Sequence, residues 1–481
     1  MEANHWGIWM TLTALYGITI LGVIGTVLSE NRNPLKATAW VLIVIFIPIV
    51  GLMAYILFGQ DQRRLSRLSK QFYQRLMRAP LQLSIPRHLS SQVQLLDEQE
   101  RLINLLEHSA DSPLLSLESV EVFAHGEAMY ASLMEDIAWA KQHIHLQAYI
   151  FDEDDLLDEL EELLTYKASQ GVEVRIIYDY LGSYSVSLDR WERMKLAGMQ
   201  IYPFMKVAIP LLSSTVNYRN HRKVAIIDGH TGYVGGMNFA ERYRSGNNLG
   251  AWRDTHFRIE GDAVAALQSA FLLDWYSVSR RVLNLEQCFV ERDPSTRPAY
   301  GYVQFVLGGP MSPWTSIEQA MIAMVAQAKR HICIQTPYFL PTEALQMALI
   351  IASLSGVRVE LMLPKRGDSW AATHATASYI DELLSSGIEV YFYEAGFLHS
   401  KLLVVDGNIS AIGSANMDFR SLEHNFEITG VVYGEALGRQ LEELFEQDKA
   451  GCTRVEPERW QARSRRRKLA ESVMRLFSPA M

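Results

Sequence analysis

Cysteine is scarce: 481 residues hold three, at positions 288, 333 and 452. An odd number spread so far apart excludes a disulfide framework and a CxxC-type zinc module. A positive balance of charge is missing as well. Lys and Arg number 45 against 54 Asp and Glu, a formal charge of −9, which argues against binding nucleic acid through a bulk positive field. Low-complexity sequence is lacking too. With 49% apolar residues and a mean hydropathy of +0.00, the disordered class is excluded. At this length roughly two to four domains are expected.

Charge is locally absent from residues 6–28 and 37–60. Each stretch is long enough to cross about 30 Å of hydrocarbon as a helix rising about 1.5 Å per residue. Only SENRNPLK separates them, so a two-helix transmembrane hairpin is predicted over 1–60, kinked at Pro48. A signal peptide is disfavoured, because the first residues carry only Glu2 and a second apolar run follows at once. After the hairpin come Arg63, Arg64, Arg67, Lys70, Arg75 and Arg78 against a single Asp61. The positive-inside rule places that segment and everything after it on the cytoplasmic side. Arg32 and Lys36 in the short loop weaken this bias without reversing it. A basic run beside a span also suits anionic lipid. Residues 61–113 read as a basic juxtamembrane helical connector.

The remainder repeats itself. HIHLQAYIF (143–151) is matched by HICIQTPYF (331–339), GVEVRIIYD (171–179) by GVRVELMLP (356–364), and GMQIYPF (198–204) by GIEVYFY (387–393). HRKVAIIDG (221–229) is matched by HSKLLVVDG (399–407), and RDPSTRP (292–298) between the halves has linker composition. Apolar β-branched runs alternating with helices predict α/β sandwiches, each with a sheet buried on both faces. Two of them, over 114–296 and 297–450, are expected to pack about a pseudo-twofold axis, so the same motif from each half lines the cleft between them. The tail, 451–481, holds RWQARSRRRKLAESVMR, seven basic residues against one acidic. It reads as a basic amphipathic helix at a lipid interface or a plainly solvated one.

His221 and Lys223 stand two apart on a strand, so both side chains leave one face. Asp228 closes that strand at an Asp-Gly turn, Gly235 lies seven residues further and Asn238 ten. His399, Lys401, Asp406, Gly413 and Asn416 repeat the spacing. One H-x-K-x(4)-D match arises by composition in roughly one chain in a hundred of this length, a weak signal. Two matches with the same downstream Gly and Asn, inside a wider repeat, are a strong one.

The paired motifs resemble the phospholipase D superfamily, and the N-terminal hairpin with its ENRNP loop resembles the bacterial cardiolipin synthases within it. The resemblance covers essentially the whole chain. It implies two phospholipase D-like repeats and a phosphatidyltransferase that joins two phosphatidylglycerols into cardiolipin and free glycerol, with no metal and no cofactor. It also implies a multi-pass protein of the bacterial inner membrane that meets phosphatidylglycerol and anionic lipid, not nucleic acid. Oligomeric state is not implied.

The residues suit that chemistry independently. A phosphodiester needs a nucleophile on phosphorus, an acid for the departing oxygen and cations for the non-bridging oxygens. Histidine, with an ordinary pKa of about 6.5, can be nucleophile or acid. Lys223 and Lys401 offer charge, and Asn238 and Asn416 offer amide donors or form turns. Asp254 in WRDTHF and Glu427 in HNFE, 33 and 28 residues after their histidines, resemble the family's histidine-orienting carboxylates. Asp228 and Asp406 belong to the motif, yet each sits where Asp usually binds local backbone. His143, His145 and His331 read as fold residues, and GGP at 308–310 as a turn. A hydrolase, or a phosphatidylserine synthase-like transferase, would use the same site. A nuclease is disfavoured by charge and hairpin, and a scaffold by two intact motifs.

Overall fold

The computed structural model describes residues 2–30, 34–55, 97–206, 217–290 and 301–481. The basic run at 61–78 and the linker at 292–298 lie outside the described residues. The chain divides into two units, the N-terminal helices and the repeated α/β body.

In the first unit, Glu2–Glu30 is one helix. Its stretch Trp9–Val27 has a mean hydropathy of 1.8, and among the described residues it is the one helix long and apolar enough to cross a membrane. The second predicted span is described as far as Tyr55. It runs as Pro34–Phe46, breaks at Ile47 and resumes as Pro48–Ala54. Proline brings no N–H to the i→i−4 ladder, so one helix ends and another starts there. Gly51 permits the bend, since a Cβ on it would lie 2.7 Å from the Ile43 carbonyl oxygen. Trp40 and Tyr55 close the fold edge to face at 5.6 Å.

The body holds strands numbered here in chain order. They begin with β1 (Leu115–Leu117), β2 (Ser119–Phe123), β3 (His143–Ala148), β4 (Glu173–Asp179), β5 (Gln200–Phe204), β6 (Val224–Ile227), β7 (Thr231–Gly235), β8 (Ala251–Arg253) and β9 (His256–Glu260). The second half supplies β10 (Gly301–Gly308), β11 (His331–Gln335), β12 (Phe339–Leu340), β13 (Arg358–Pro364), β14 (Glu389–Tyr393) and β15 (Gly396–Leu398). It ends with β16 (Leu402–Val405), β17 (Ile409–Gly413), β18 (Met417–Asp418), β19 (Glu427–Tyr433) and β20 (Cys452–Arg454).

One sheet has the order β2-β9-β7-β6-β3-β4-β5, and the other contains its counterpart, β10-β19-β17-β16-β11-β13-β14. The predicted duplication is therefore a duplication of topology. Side chains alternate across the central strands: Ile144, Leu146 and Ala148 join the core beneath helices Gly126–Trp139, Asp155–Ser169 and Leu188–Leu196. On the other face His145 meets Gln268 and Phe271 of helix Ala263–Ser279. Burial on both faces explains why these strands read as continuous apolar runs.

Three segments outside the two repeats pack against the second sheet. Leu102, Ile103 and Leu106 of helix Asp97–Ala110 belong to the core of the second half, with Met321 and Met324. β1 pairs antiparallel with β10, so the described end of the connector, and residues up to 117, complete the second half. The first half starts at β2. The tail is not separate either, because β20 pairs with β14 and Trp460 lies in the second core. Each of these segments covers an edge or face of the second sheet.

Candidate active site

Both histidines sit just before the central strand of their sheet, β6 or β16, and the opposite half holds each in place. His221 N donates to Phe426 O at 2.9 Å, Phe426 N donates to Arg219 O at 2.9 Å, and His399 N donates to Arg253 O at 2.7 Å. β15 pairs in parallel with β8 beside the last of these contacts. The two motifs thus meet at the junction of the halves. Lys223 Nζ donates to His221 O at 2.6 Å, and Lys401 Nζ donates to His399 O.

The orienting carboxylates require a correction. Sequence order assigned Asp254 to His221 and Glu427 to His399. The structure exchanges them: His221 Nδ1 lies 3.0 Å from Glu427 Oε1, and His399 Nδ1 lies 2.6 Å from Asp254 Oδ2. An ionised carboxylate only accepts, so Nδ1 is the donor in both pairs. Lys401 Nζ lies beside the His399 ring, 2.8 Å from Nδ1 and 3.3 Å from Nε2. Spacing along the chain cannot separate a partner within a half from one across the junction.

Both imidazoles are held below their ordinary pKa. Burial lowers His221, Lys223 and Lys401 add to this, and Glu427 opposes it. Burial and Lys401 push His399 down to about 3 against the pull of Asp254. Burial also lowers Lys401, to about 8, and drives Lys223 well below the ordinary lysine range. For Asp254, burial raises the carboxyl, but Lys401, His399 and the Thr255 amide outweigh it and leave it below the usual range. In Glu427 burial is outweighed by His221, Lys223 and Ser414. The site therefore holds neutral imidazoles, two carboxylates and two desolvated lysines. An arriving phosphodiester anion favours the protonated forms of these groups.

Asp228 and Asp406 lie apart from the two histidines. Each occupies a left-handed turn position, with φ of 53° and 52°, at the end of the strand away from its histidine. The Asp228 carboxylate accepts from Lys141 N, Gln142 N and His143 N at 2.7, 2.7 and 2.8 Å. Asp406 does the same for Lys329 N, Arg330 N and His331 N at 2.7, 2.8 and 2.8 Å. The backbone they bind is not their own turn but the start of β3 or β11.

Asn238 accepts from Ile150 N at 3.0 Å and donates to Tyr243 Oη at 2.5 Å, so it is engaged by the protein. Asn416 donates to Asp418 Oδ2 at 3.1 Å, and its Oδ1 is buried without a partner. Gly235 and Gly413 allow close strand approach, since a Cβ there would lie 2.5 Å from Thr255 O or 2.1 Å from Ile428 O. His143 and His145 stack at 4.4 Å within the fold. Gly308, read only as a turn residue, ends β10, and its carbonyl accepts from Arg222 Nη2 at 3.2 Å.

A buried relay escaped the sequence reading. Gln147 Nε2 and Arg222 Nη1 both donate to Asp274 Oδ2, at 2.5 and 2.7 Å, and Arg222 Nε donates to Glu427 O at 3.1 Å. Gln335 of the second half and Arg253 of the first hold Asp448 at 2.8 and 3.0 Å, and Arg253 Nη1 donates to Asp254 O at 2.6 Å. Each orienting carboxylate thus belongs to a residue whose own carbonyl is held by a buried arginine. One signal was available: Gln is the fifth residue of the repeated first strand in both halves. Ser414, whose hydroxyl donates to Glu427, left no such trace, because Gly236 stands at its place in the first half.

A duplicated sheet carrying one His-Lys motif per half, with carboxylates exchanged across the junction, defines a phospholipase D-like protein. The family described as "Cardiolipin synthase, PLD-like domain" matches residues 133–272 and 321–449, and "Phospholipase_D-nuclease N-terminal" matches 14–60. The chain is 36% identical over 475 residues to a cardiolipin synthase of Geobacillus kaustophilus (strain HTA426), covering 98% of this chain and 93% of that one. It is also 36% identical to a cardiolipin synthase of Oceanobacillus iheyensis, covering 98% and 99%. This chain belongs to the cardiolipin synthase family of phospholipase D-like proteins. The crystal structure of a phosphatidylserine synthase from Haemophilus influenzae Rd KW20 shares the fold, with a TM-score of 0.59 at 15% identity, over 79% of this chain and 98% of that one.

Proposed function

We propose that the protein is a cardiolipin synthase that moves a phosphatidyl group from one phosphatidylglycerol to a second. The observation that carries this reading is the crossed pair of histidine–carboxylate dyads. His221 Nε2 attacks phosphorus, and the bond to the head-group glycerol oxygen breaks as His399, protonated once the phosphate anion is bound, gives that oxygen its proton. Glycerol leaves, and phosphatidyl-His221 remains with its imidazolium charge faced by Glu427. Neutral His399 then takes the proton from the head-group hydroxyl of the second phosphatidylglycerol. The freed oxygen attacks phosphorus, the P–N bond breaks, and cardiolipin departs. Family resemblance assigns the nucleophile to the N-terminal histidine. Lys223 and Lys401 neutralise the non-bridging oxygens, and no step requires a metal.

The basic residues after the hairpin favour a multi-pass inner-membrane protein with its body on the cytoplasmic side. Leu469, Leu476 and Phe477 are exposed near the C-terminus beside Arg465, Arg466 and Lys468, a surface suited to anionic lipid. The test is to incubate purified protein with phosphatidylglycerol in mixed micelles containing a chelator and to resolve the products. Cardiolipin and glycerol in equal amounts support the transferase. Phosphatidic acid as the main product would make the protein a hydrolase, and dependence on an added divalent ion would overturn the metal-free route.

A further inference from the structure

The Asp406 end of the second sheet, away from His399, carries a group of side chains that the chemistry above does not use. His331 and Cys333 stand two apart on β11 and project from one face, and Glu442 comes down on them from helix Glu435–Lys449. One ligand atom from each of the three lies within 4.8 Å of the others. Cys333 Sγ lies against the His331 ring, 3.6 Å from Nδ1 and 3.4 Å from Nε2, and Nδ1 is 3.7 Å from Glu442 Oε1. Ligand atoms held about 2.0–2.3 Å from a tetrahedral ion are spaced about 3.3–3.8 Å apart.

The other ring nitrogen supplies an independent observation. His331 Nε2 lies 2.6 Å from Glu360 Oε2, and Glu360 is held in turn by Lys449 Nζ at 2.5 Å and Arg358 Nη2 at 2.9 Å. An anchored carboxylate on the far nitrogen is how metal-bound histidines are fixed in tautomer and orientation. Cys333 is buried, whereas the His331 and Glu442 side chains are 22% and 28% exposed, which leaves an ion a way in.

The duplication provides a comparison inside one molecule. At the places of Cys333, Glu442 and Glu360 the first half has His145, Gln268 and Arg175. Gln268 lies 3.2 Å from His145 Nδ1, and Arg175 Nη1 lies 3.0 Å from His145 Nε2. That half fills the position with a neutral amide and a built-in guanidinium. In the second half the same three places hold a thiol and two carboxylates, so an amide and a guanidinium have given way to carboxylates. Glu442 lies far along the chain from the H-x-C pair, and only the fold joins them.

We propose that His331, Cys333 and Glu442 form a binding site for one zinc ion, with water in the fourth position and Glu360 orienting the histidine. The ion would tie β11 to helix Glu435–Lys449, the helix whose Asp448 holds Arg253, and would take no part in phosphoryl transfer. Tag-free full-length protein in detergent is stripped with a chelator, dialysed and titrated with Zn²⁺, and separately with Co²⁺. The expected result is one zinc per chain, a raised thermal midpoint, and a thiolate-to-cobalt charge-transfer band. Cys333→Ser removes the band, and Cys288→Ser and Cys452→Ser keep it. Glu442→Gln, which installs the amide found in the first half, is expected to weaken zinc binding at least tenfold with kcat unchanged; it is the reporting variant if Cys333→Ser does not fold. Absence of saturable zinc binding at micromolar concentration overturns the proposal. So does a cobalt band that survives in Cys333→Ser, or Glu442→Gln binding zinc as the parent does.

Discussion

At the scale of the residue, the two histidines are alike in surroundings and distinct in proposed role. His221→Asn is expected to abolish cardiolipin formation and any covalent adduct. His399→Asn should abolish turnover with phosphatidylglycerol, yet allow slow adduct formation when the leaving group needs no proton. Mass spectrometry of acid-quenched enzyme reads the result directly, and an adduct on His399 reverses the assignment. The exchanged carboxylates extend the test. Glu427 faces His221, so Glu427→Gln should impair adduct formation with every substrate, because it removes the charge that stabilises the phosphorylated imidazolium. Asp254 faces His399, so Asp254→Asn should behave as an acid defect, largely relieved by a good leaving group. Losses on the order of 10²–10⁴-fold are expected for acid–base positions. If Asp254→Asn blocks the adduct and Glu427→Gln does not, either the nucleophile or the pairing is reversed.

At the scale of the element, Asp228 and Asp406 are strand anchors. Each gathers three backbone N–H groups at the start of the neighbouring strand from a left-handed position that Asn also tolerates. Asp228→Asn and Asp406→Asn should therefore each cost about 1–3 kcal/mol of stability, while the surviving folded protein keeps its turnover number. A kcat that collapses in a variant with unchanged thermal midpoint would return these residues to the chemistry. Strands were legible in the sequence because alternation and β-branched runs are local, and repetition confirmed them. The helix break at Ile47 was legible as well, because Pro48 acts through its own missing N–H. The partners of the histidines, the edge role of β1 and the Arg–Asp relays were not, since each depends on which surfaces meet after folding. The hairpin carries its own expectation. Deleting 1–60 should leave a folded, active body with weaker membrane attachment, and a C-terminal reporter on the full chain should be active only in the cytoplasm. Loss of fold on truncation, or a reporter active in the periplasm, would refute those two statements respectively.

At the scale of the whole molecule, duplication has produced a single site from two sheets rather than two sites. Each half brings one histidine and the carboxylate that faces the other's histidine, so neither half holds a complete pair. The junction is built to match. The arginines that hold Asp274 and Asp448 are both buried and both come from the first half, yet Arg253 reaches Asp448 of the second and Arg222 reaches the carbonyls of Glu427 and Gly308. Backbone bonds cross in both directions, and β1, which precedes the first half in sequence, is an edge strand of the second sheet. These contacts join the halves independently of the connection between them, whose sequence, RDPSTRP, has the composition of a linker. A protease site placed within 292–298 and cut after folding should therefore leave two fragments that co-purify and retain most of the activity. The same fragments expressed separately should be inactive, because His221 would lack Glu427, His399 would lack Asp254, and Arg253 would lose its Asp448 partner across the junction. Full activity from either fragment alone would mean that copies of one half can pair with each other and that the exchange of carboxylates is not what makes the site. Activity lost on cutting, with the fragments still bound, would place the connection itself in the working geometry.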